Sequence, residues 1–375
     1  MHIIHKLLIL VILFITIYIV YSLFQKNAEI KNQFAKEIKK NEDKAFEGFN
    51  TKMIVAEGFD QQSAATDMSN LNDAASKMGV GLNIKPISKI YYNLPIKEFI
   101  IKSSYNSAIV GGSASKESVK FVINRGCRVL DFEIYTRIDD KGVEKEYISF
   151  SEDPEYKSIK TDLDLTMDDA FVAVIGNAFT SAPAPKDPLF IHLRIKNHSR
   201  DAYKRIVKSL ETNFGSKLYG KKVNGSTKIG DLMDKMVIIL DITSAPDYDN
   251  YGSCNRADGP DCIPFSTYIQ LRSGIVDFPK YSYIDYHELI SSPITIADNG
   301  RTDVKSFYMV TPPQVGNVAA PTIAELAKQP CQMVLMKFYN QTADLKDYEK
   351  IFNLCESSFC PISSLILKLH KFNSD

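Results

Sequence analysis

The chain has 375 residues, of which 24% are charged and 45% hydrophobic, a composition typical of folded proteins with one large or two modest domains. Lysine plus arginine and aspartate plus glutamate each number 45, so the net charge is zero. Because a nucleic-acid-binding protein needs a basic face, the overall charge predicts no such partner.

An apolar segment lies near the N-terminus, after a short tail at residues 1–6. Leu7–Phe24 contains no charged residue, and Tyr18 and Tyr21 lie near one end of it, where aromatic rings favour the membrane interface. A helix of about 20 apolar residues spans a bilayer core. The sequence therefore predicts a single-pass membrane anchor. The alternative is a cleaved signal peptide, for which the run is long and lacks an Ala-x-Ala-like site.

Lysines and cysteines give opposite indications about the compartment. Lys6 precedes the apolar segment and five lysines follow it between residues 26 and 40, so the positive-inside rule places the body in the cytosol. Two cysteine pairs are close in sequence, Cys254 with Cys262 and Cys355 with Cys360, and none has zinc-site spacing. We expect free thiols. Local disulfides would need an oxidising compartment and would contradict the cytosolic placement.

Residues 25–90 are interpreted as a juxtamembrane stalk and linker. Ile30, Phe34 and Ile38 recur at helical spacing, which predicts a solvated stalk or, alternatively, a helix that pairs with a protein partner. A short helix is predicted over residues 63–77, before the glycines at 79 and 81.

From residue 91 onward, short apolar runs alternate with helical patterns, which predicts an α/β domain with a mainly parallel sheet. The length of about 280 residues fits one (β/α)₈ barrel, although a doubly wound sheet has the same pattern. The predicted strands are 99–101, 129–135, 147–150, 189–195, 236–242, 306–310 and 333–338. The predicted helices are 116–124, 165–179 and 202–213.

Four short motifs occur in order along this domain. They read FIIKSSYNSA at 99–108, GCRVLDFE at 126–133, DPLFIHLR at 187–194 and CQMV at 331–334. They resemble SSHNTY, GCR-x-x-E-x-D, P-x-x-x-S-L-E and CQMV of the phosphatidylinositol-specific phospholipase C family. The resemblance covers residues 93–372 and implies a TIM-type barrel over 91–375. Within the family, the motifs are most similar to those of a divergent branch in large DNA viruses and protists.

The resemblance implies a reaction in which one histidine is the general base and a second the general acid, since imidazole titrates near neutral pH. In this sequence Tyr105 occupies the position of the first histidine. A tyrosine has a pKa of about 10 and is therefore a poor base at neutral pH. The second position is best matched by Ser149. No catalytic position of the family is therefore intact.

The resemblance also implies a calcium site built from oxygen ligands. Its positions are occupied by Asn106, Asp131, Glu133 and Arg194, and the arginine replaces a glutamate. A guanidinium there opposes calcium entry and can pair with the carboxylates, so we predict no cofactor. Bacterial relatives also use an arginine there, so the loss of both histidines is the stronger argument against catalysis. A structural ion-pair cluster is the favoured interpretation of Asp131, Glu133 and Arg194.

Other residues leave alternatives open. His192 is interpreted as a core histidine, whereas His198 and His287 are the remaining candidates to replace a catalytic base. Asp241 caps a loop or lines the pocket.

The sequence thus predicts a membrane-anchored, catalytically inactive phospholipase C-like binding or structural module, in a host membrane or an internal virion membrane. The alternatives are a divergent phosphoric diester hydrolase and a module that binds inositol phosphates or lipid headgroups.

Overall fold

The computed structural model describes residues 64–77, 81–139, 141–151, 165–196, 198–255, 258–259, 262–273, 283–285, 308–312, 320–321, 326 and 331–365. The predicted anchor Leu7–Phe24, the stalk up to residue 63, and His287 lie outside these residues. Within the described part, no helix is long and apolar enough to cross a membrane.

The strands of the main sheet run mostly in parallel. In chain order, leaving out a short hairpin formed by β2 (Ile109–Val110) and β3 (Ser113–Ala114), they are β1 (Phe99–Ser104), β4 (Val129–Ile138), β5 (Glu144–Ser149), β6 (Leu189–Ile195), β7 (Met236–Asp241), β8 (Leu271–Ser273), β9 (Tyr283–Asp285), β10 (Met309–Thr311), β11 (Met333–Met336) and β12 (Phe359–Pro361).

Eight of these strands follow the order β8-β7-β6-β4-β1-β11-β10-β9 with parallel neighbours throughout. Between β9 and β8 the described residues form no ladder, so the barrel is nearly closed. Strand β5 pairs antiparallel with the upper part of β4, and β12 pairs antiparallel with the start of β1. The predicted strand at 147–150 is therefore the return of a hairpin rather than a parallel barrel strand.

Among the described residues, one helix precedes β1 and five lie between later strands. They are α1 (Ala64–Lys77), α2 (Lys116–Asn124), α3 (Met167–Ala178), α4 (Arg200–Phe214), α5 (Tyr248–Tyr251) and α6 (Ala343–Cys355). Four begin at a Ser or Thr whose side chain accepts a hydrogen bond from a backbone N–H of the first turn, namely Ser115, Thr166, Ser199 and Thr342. Such caps satisfy backbone donors that the helix itself leaves unpaired.

Alternation along the strands produces two apolar cores, because neighbouring side chains point to opposite faces of a sheet. Ile100, Leu130 and Ile191 pack outward against the helices. Ile101, Val129 and Phe190 belong to a second cluster that fills the barrel. One face of the sheet thus encloses its own core, which favours the predicted barrel over a doubly wound sheet.

The segment before the predicted domain start at residue 91 packs with the barrel. Met68, Leu71 and Ala75 of α1 belong to the outer apolar core, and the Ile87 N–H donates to Asp187 at 3.1 Å. The compact unit that contains the barrel begins at Ser63.

Two disulfides join the cysteines that are close in sequence, Cys254 to Cys262 and Cys355 to Cys360. Cys127 and Cys331 are free and buried. The expectation of free thiols is therefore wrong for both pairs, because each pair is brought together by a local turn of the chain.

Candidate site at the carboxyl end of the barrel

Polar side chains cluster inside the barrel where β4, β6, β7 and β8 end. In the ladder, Asp131 lies beside His192 and Glu133 beside Arg194. One strand further on, Asp241 lies beside Ser273. Catalytic residues of parallel barrels are found at this end, because the strands converge there and the following loops are free to vary.

Arg194 holds the predicted site residues together. Its Nε donates to Asp131 Oδ1 at 3.0 Å and its Nη1 to Glu133 Oε2 at 2.5 Å. Nη2 donates to Asn106 Oδ1 at 2.5 Å and to Asp131 Oδ2 at 2.8 Å. All these side chains are buried. The guanidinium therefore lies at the centre of the group that the family resemblance assigns to calcium.

Asn106 reaches the guanidinium through a turn that follows β1. Its φ of 46° is left-handed, a conformation that asparagine adopts more readily than most residues. In this conformation the Asn106 N–H donates to Asp131 Oδ2 at 2.9 Å, and the Ser107 N–H donates to the Asp131 carbonyl at 2.8 Å. Asn106 thus binds the carboxylate through its backbone and the arginine through its side chain.

Two tyrosines complete the surroundings of the cluster. The Arg194 guanidinium lies 4.6 Å from the ring centroid of Tyr105, a cation–π distance. The Tyr135 hydroxyl donates to Glu133 Oε1 through a short contact. Tyr105 therefore packs its ring against the arginine of the cluster.

The pairing has a strong electrostatic consequence. Burial alone would raise the pKa of Asp131, but the Arg194 charge and the hydrogen bond from His192 hold it well below its usual range. Burial likewise disfavours the Arg194 cation, yet Asp131 and Glu133 raise the pKa of that guanidinium well above its usual range. Both groups stay charged at every physiological pH.

These residues do not fit a calcium ion. The Asn106 amide oxygen, both Asp131 oxygens and Glu133 Oε2 already accept hydrogen bonds from Arg194. Nor do the described residues contain a cluster of three or more His, Cys, Asp or Glu side chains able to hold a metal. A fixed cation on the chain thus engages the oxygens that a divalent cation would need.

His192 lies one layer below Arg194. Its Nδ1 is 2.7 Å from Asp131 Oδ1, and its Nε2 is 2.8 Å from Ser273 Oγ. It is thus a core histidine with both ring nitrogens hydrogen-bonded, in agreement with its interpretation from the sequence.

Comparison with known proteins agrees with the fold described above. The family model described as "Phosphatidylinositol-specific phospholipase C, X domain" matches residues 92–240. Residues 92–240 are therefore similar to the X domain of this family. This confirms the predicted family, whereas the viral and protist branch stays a prediction.

Solved structures support the fold. The S. officinalis PLC21 structure is 16% identical over 72% of this chain, with a TM-score of 0.51. The L. pealei PLC21 structure is also 16% identical, over 73% of this chain, with a TM-score of 0.50. The chain spans only 37% of the length of each. Comparison with curated protein sequences found no match.

Within the X domain, Ser149 lies beside Glu133 in the antiparallel ladder of β4 and β5. Paired residues of a ladder share a face, so the structure brings this predicted position to the edge of the Arg194 cluster. Asp241 accepts hydrogen bonds from the Thr243 N–H at 3.0 Å and from its hydroxyl at 2.6 Å. It therefore caps the loop after β7 and also lies among the polar side chains at this end of the barrel.

His198 is half-buried in the loop after β6 and lies 3.3 Å from the Tyr203 hydroxyl. Burial lowers its pKa. Among the described residues it makes no hydrogen bond with the Arg194 cluster, so the structure does not bring this predicted substitute to the site.

The sequence interpretation missed Tyr135, Lys196 and Ser273. Tyr135 and Lys196 lie two residues beyond Glu133 and Arg194, so the period of two along a strand would have found them. Burial lowers the pKa of Lys196 to about 8, and the Arg194 charge adds to this effect. Ser273 gave no signal, because β8 is only three residues long.

Proposed function

We propose that this chain is a membrane-anchored, phospholipase C-like protein that does not cleave phosphodiesters and acts as a binding or structural module. The observation that carries the proposal is the Arg194 guanidinium, hydrogen-bonded to Asn106, Asp131 and Glu133 together. A permanent cation of the chain, bound through four hydrogen bonds, would then stand where the family holds a labile metal.

The two histidine positions support the same proposal. Tyr105 stacks under Arg194, and Ser149 lies beside Glu133 without an imidazole to exchange protons. A general acid or base contributes about 10²–10⁴-fold each, so losing both leaves little turnover. A fold alone does not supply the missing chemistry.

A divergent phosphoric diester hydrolase is the second candidate, and Lys196 is the observation that favours it. Its pKa of about 8 allows a fraction of neutral amine at pH 7 to 8, and a partly buried lysine can act as a general base. Its charge interacts with Arg194, Glu133, Asp241 and Asp131, so it belongs to the same end of the barrel.

Membrane attachment rests on the apolar segment Leu7–Phe24. The disulfides oppose the cytosolic placement predicted from the lysines, because disulfides are rare in the cytosol. We therefore place the body on the oxidising side of the membrane. Peptide mapping of the native protein without reductant should recover both bridges. Free thiols at these four positions would restore the cytosolic placement.

The test is cleavage of phosphatidylinositol vesicles by the full chain in mild detergent, with calcium and with chelator. We expect no inositol phosphate release by the wild type in either condition. The variant Tyr105→His, Ser149→His, Arg194→Glu rebuilds the family positions and is expected to gain slow, calcium-dependent release.

The controls separate the candidates. Turnover by the wild type that is lost in Lys196→Met, but not in Lys145→Met, would contradict the inactive module and support the divergent hydrolase. Binding of inositol phosphates without turnover, measured by calorimetry, would assign the module to headgroups. Failure of both binding and turnover would favour a protein partner.

A further inference from the structure

Three buried side chains in the barrel are joined by hydrogen bonds that the phosphodiesterase resemblance does not explain. Asp131 contacts His192 Nδ1 at 2.7 Å, and Ser273 Oγ contacts His192 Nε2 at 2.8 Å. The contacts use opposite ring nitrogens, so the imidazole lies between the carboxylate and the hydroxyl. This is the connectivity of a Ser-His-Asp nucleophile system.

The hydrogen-bond chemistry fixes the direction of each bond. Asp131 is held in its charged form by Arg194 and can only accept, so His192 donates from Nδ1, and in the neutral form of the ring Nε2 is left as the acceptor. Nε2 then accepts the hydroxyl proton of Ser273. The same hydroxyl also lies 3.5 Å from the Leu240 carbonyl, a long contact. The serine proton is therefore directed at the base that would remove it.

The charges around these three side chains select against an anionic substrate. Asp131, Glu133 and Asp241 outnumber the Arg194 and Lys196 cations at this end of the barrel. The guanidinium is engaged by its own acceptors and has no donor directed at a phosphate among the described contacts. A neutral electrophile meets no such repulsion. Ser273 is only 4% exposed, so the electrophile must be small.

We propose that Ser273, activated by His192 and Asp131, is a nucleophile for small, uncharged carboxylic esters. In the first step Ser273 Oγ bonds to the ester carbonyl carbon and its proton moves to His192 Nε2. The C–O bond to the alcohol then breaks, and the alcohol leaves with that proton. In the second step water attacks the acyl-serine, His192 accepts the water proton and returns it to Ser273, and the carboxylic acid is released.

Arg194 has a positioning role in this scheme. It binds both oxygens of Asp131 and so fixes the carboxylate that orients the imidazole. Arg194 Nε and His192 Nδ1 share Asp131 Oδ1 as their acceptor.

The test uses a small alkyl fluorophosphonate, an uncharged reagent that phosphonylates activated serines, on the full chain in mild detergent. Peptide mass spectrometry is expected to find the adduct on Ser273 of the folded wild type. His192→Gln should slow labelling by about 10²-fold or more. Ser103→Ala is the matched control, since Ser103 is a buried strand serine whose hydroxyl donates to the Ile101 carbonyl, and it should label at Ser273 like the wild type.

The overturning results are equally definite. A folded wild type without an adduct on Ser273, or labelling at an unchanged rate in His192→Gln, would show that the contacts among Ser273, His192 and Asp131 are purely structural. The wild-type result decides even if a variant fails to fold. Hydrolysis of p-nitrophenyl acetate that is lost in Ser273→Ala gives a second readout. Ester hydrolysis releases a carboxylic acid and phosphodiester cleavage an inositol phosphate, so this inference and the proposed function fail independently.

Discussion

Two buried ion clusters lie on opposite faces of the same sheet. The inner cluster consists of Arg194, Asp131 and Glu133 inside the barrel. The outer cluster consists of Lys102, Arg125 and Glu349, between the sheet and α6, where Glu349 pairs with Lys102 at 2.9 Å and with Arg125 through a short contact. The inner cluster has one cation for two carboxylates, and the outer cluster has two cations for one.

The difference shows what each cluster does. The inner side chains come from two adjacent strands in register, so the sheet itself sets their spacing. The ion pairs of the outer cluster link side chains whose sequence separations are 224 and 247 positions, and they attach a helix to the sheet. The first cluster can preserve the geometry of a site, whereas the second fixes the packing of α6.

The largest effect is expected from Arg194→Met, which leaves two buried carboxylates without a cation. Breaking a buried pair in this way costs about 3–5 kcal/mol, because the remaining charge is desolvated and uncompensated. Urea unfolding of the full chain measures the loss. The triple variant Asp131→Asn, Glu133→Gln, Arg194→Met removes the charges together and should recover most of it. A single variant as stable as the wild type would show that water reaches the carboxylates.

Glu349→Gln breaks the outer cluster and should cost about 3 kcal/mol, the lower end of the same range. The effect is smaller because the Lys102 ammonium keeps the Arg125 carbonyl at 2.6 Å, and Arg125 itself is partly exposed. Hydrogen exchange should show faster opening of α6 while the Arg194 cluster stays protected. Equal loosening of both regions would contradict the separation of the two clusters.

Asp187 differs from the carboxylates of both clusters, because it is buried and its hydrogen bonds come from the Ile87 backbone N–H. Burial raises its pKa to about 6 from its ordinary value of 3.8, although the Ile87 N–H and the Arg128 charge both act to lower it. The folded state therefore binds the proton more tightly, and this group makes the protein less stable as pH rises from 3.8 to about 6.

The matched variant is Asp187→Asn, whose side-chain oxygen can still accept from the Ile87 N–H. Relative to the wild type, its unfolding free energy should rise by up to about 3 kcal/mol between pH 4 and pH 7. Urea unfolding at both pH values measures the difference. A constant difference between the proteins would show that Asp187 keeps its ordinary pKa.

The smallest effect is expected at an exposed pair, Lys116 with Asp169, which joins α2 to α3 at 2.8 Å. Water screens this pair, so Lys116→Ala should change stability by about 0.5 kcal/mol or less. It is the control for the two buried clusters. A loss comparable to that of Glu349→Gln would mean that exposure does not distinguish these ion pairs.

Sequence patterns located most of the barrel correctly. The helix over 116–124 begins after a capping serine and has the predicted bounds, and the strands 189–195 and 236–241 lie where continuous apolar runs predicted them. The hairpin strand β5 was misjudged, because alternation identifies a strand but not the direction of its partner. The short strand β8, which carries Ser273, has too few residues for any periodicity.

By itself, the sequence determined the α/β class, the family, and the positions Tyr105, Asn106, Asp131, Glu133, Ser149 and Arg194, because these follow from local pattern and motif order. Only the tertiary structure decided that one guanidinium contacts three of these side chains and that His192 joins Asp131 to Ser273. These contacts join side chains 61 to 88 positions apart. Such contacts depend on which strands become neighbours in the barrel, and this pairing joins residues that are far apart in the sequence.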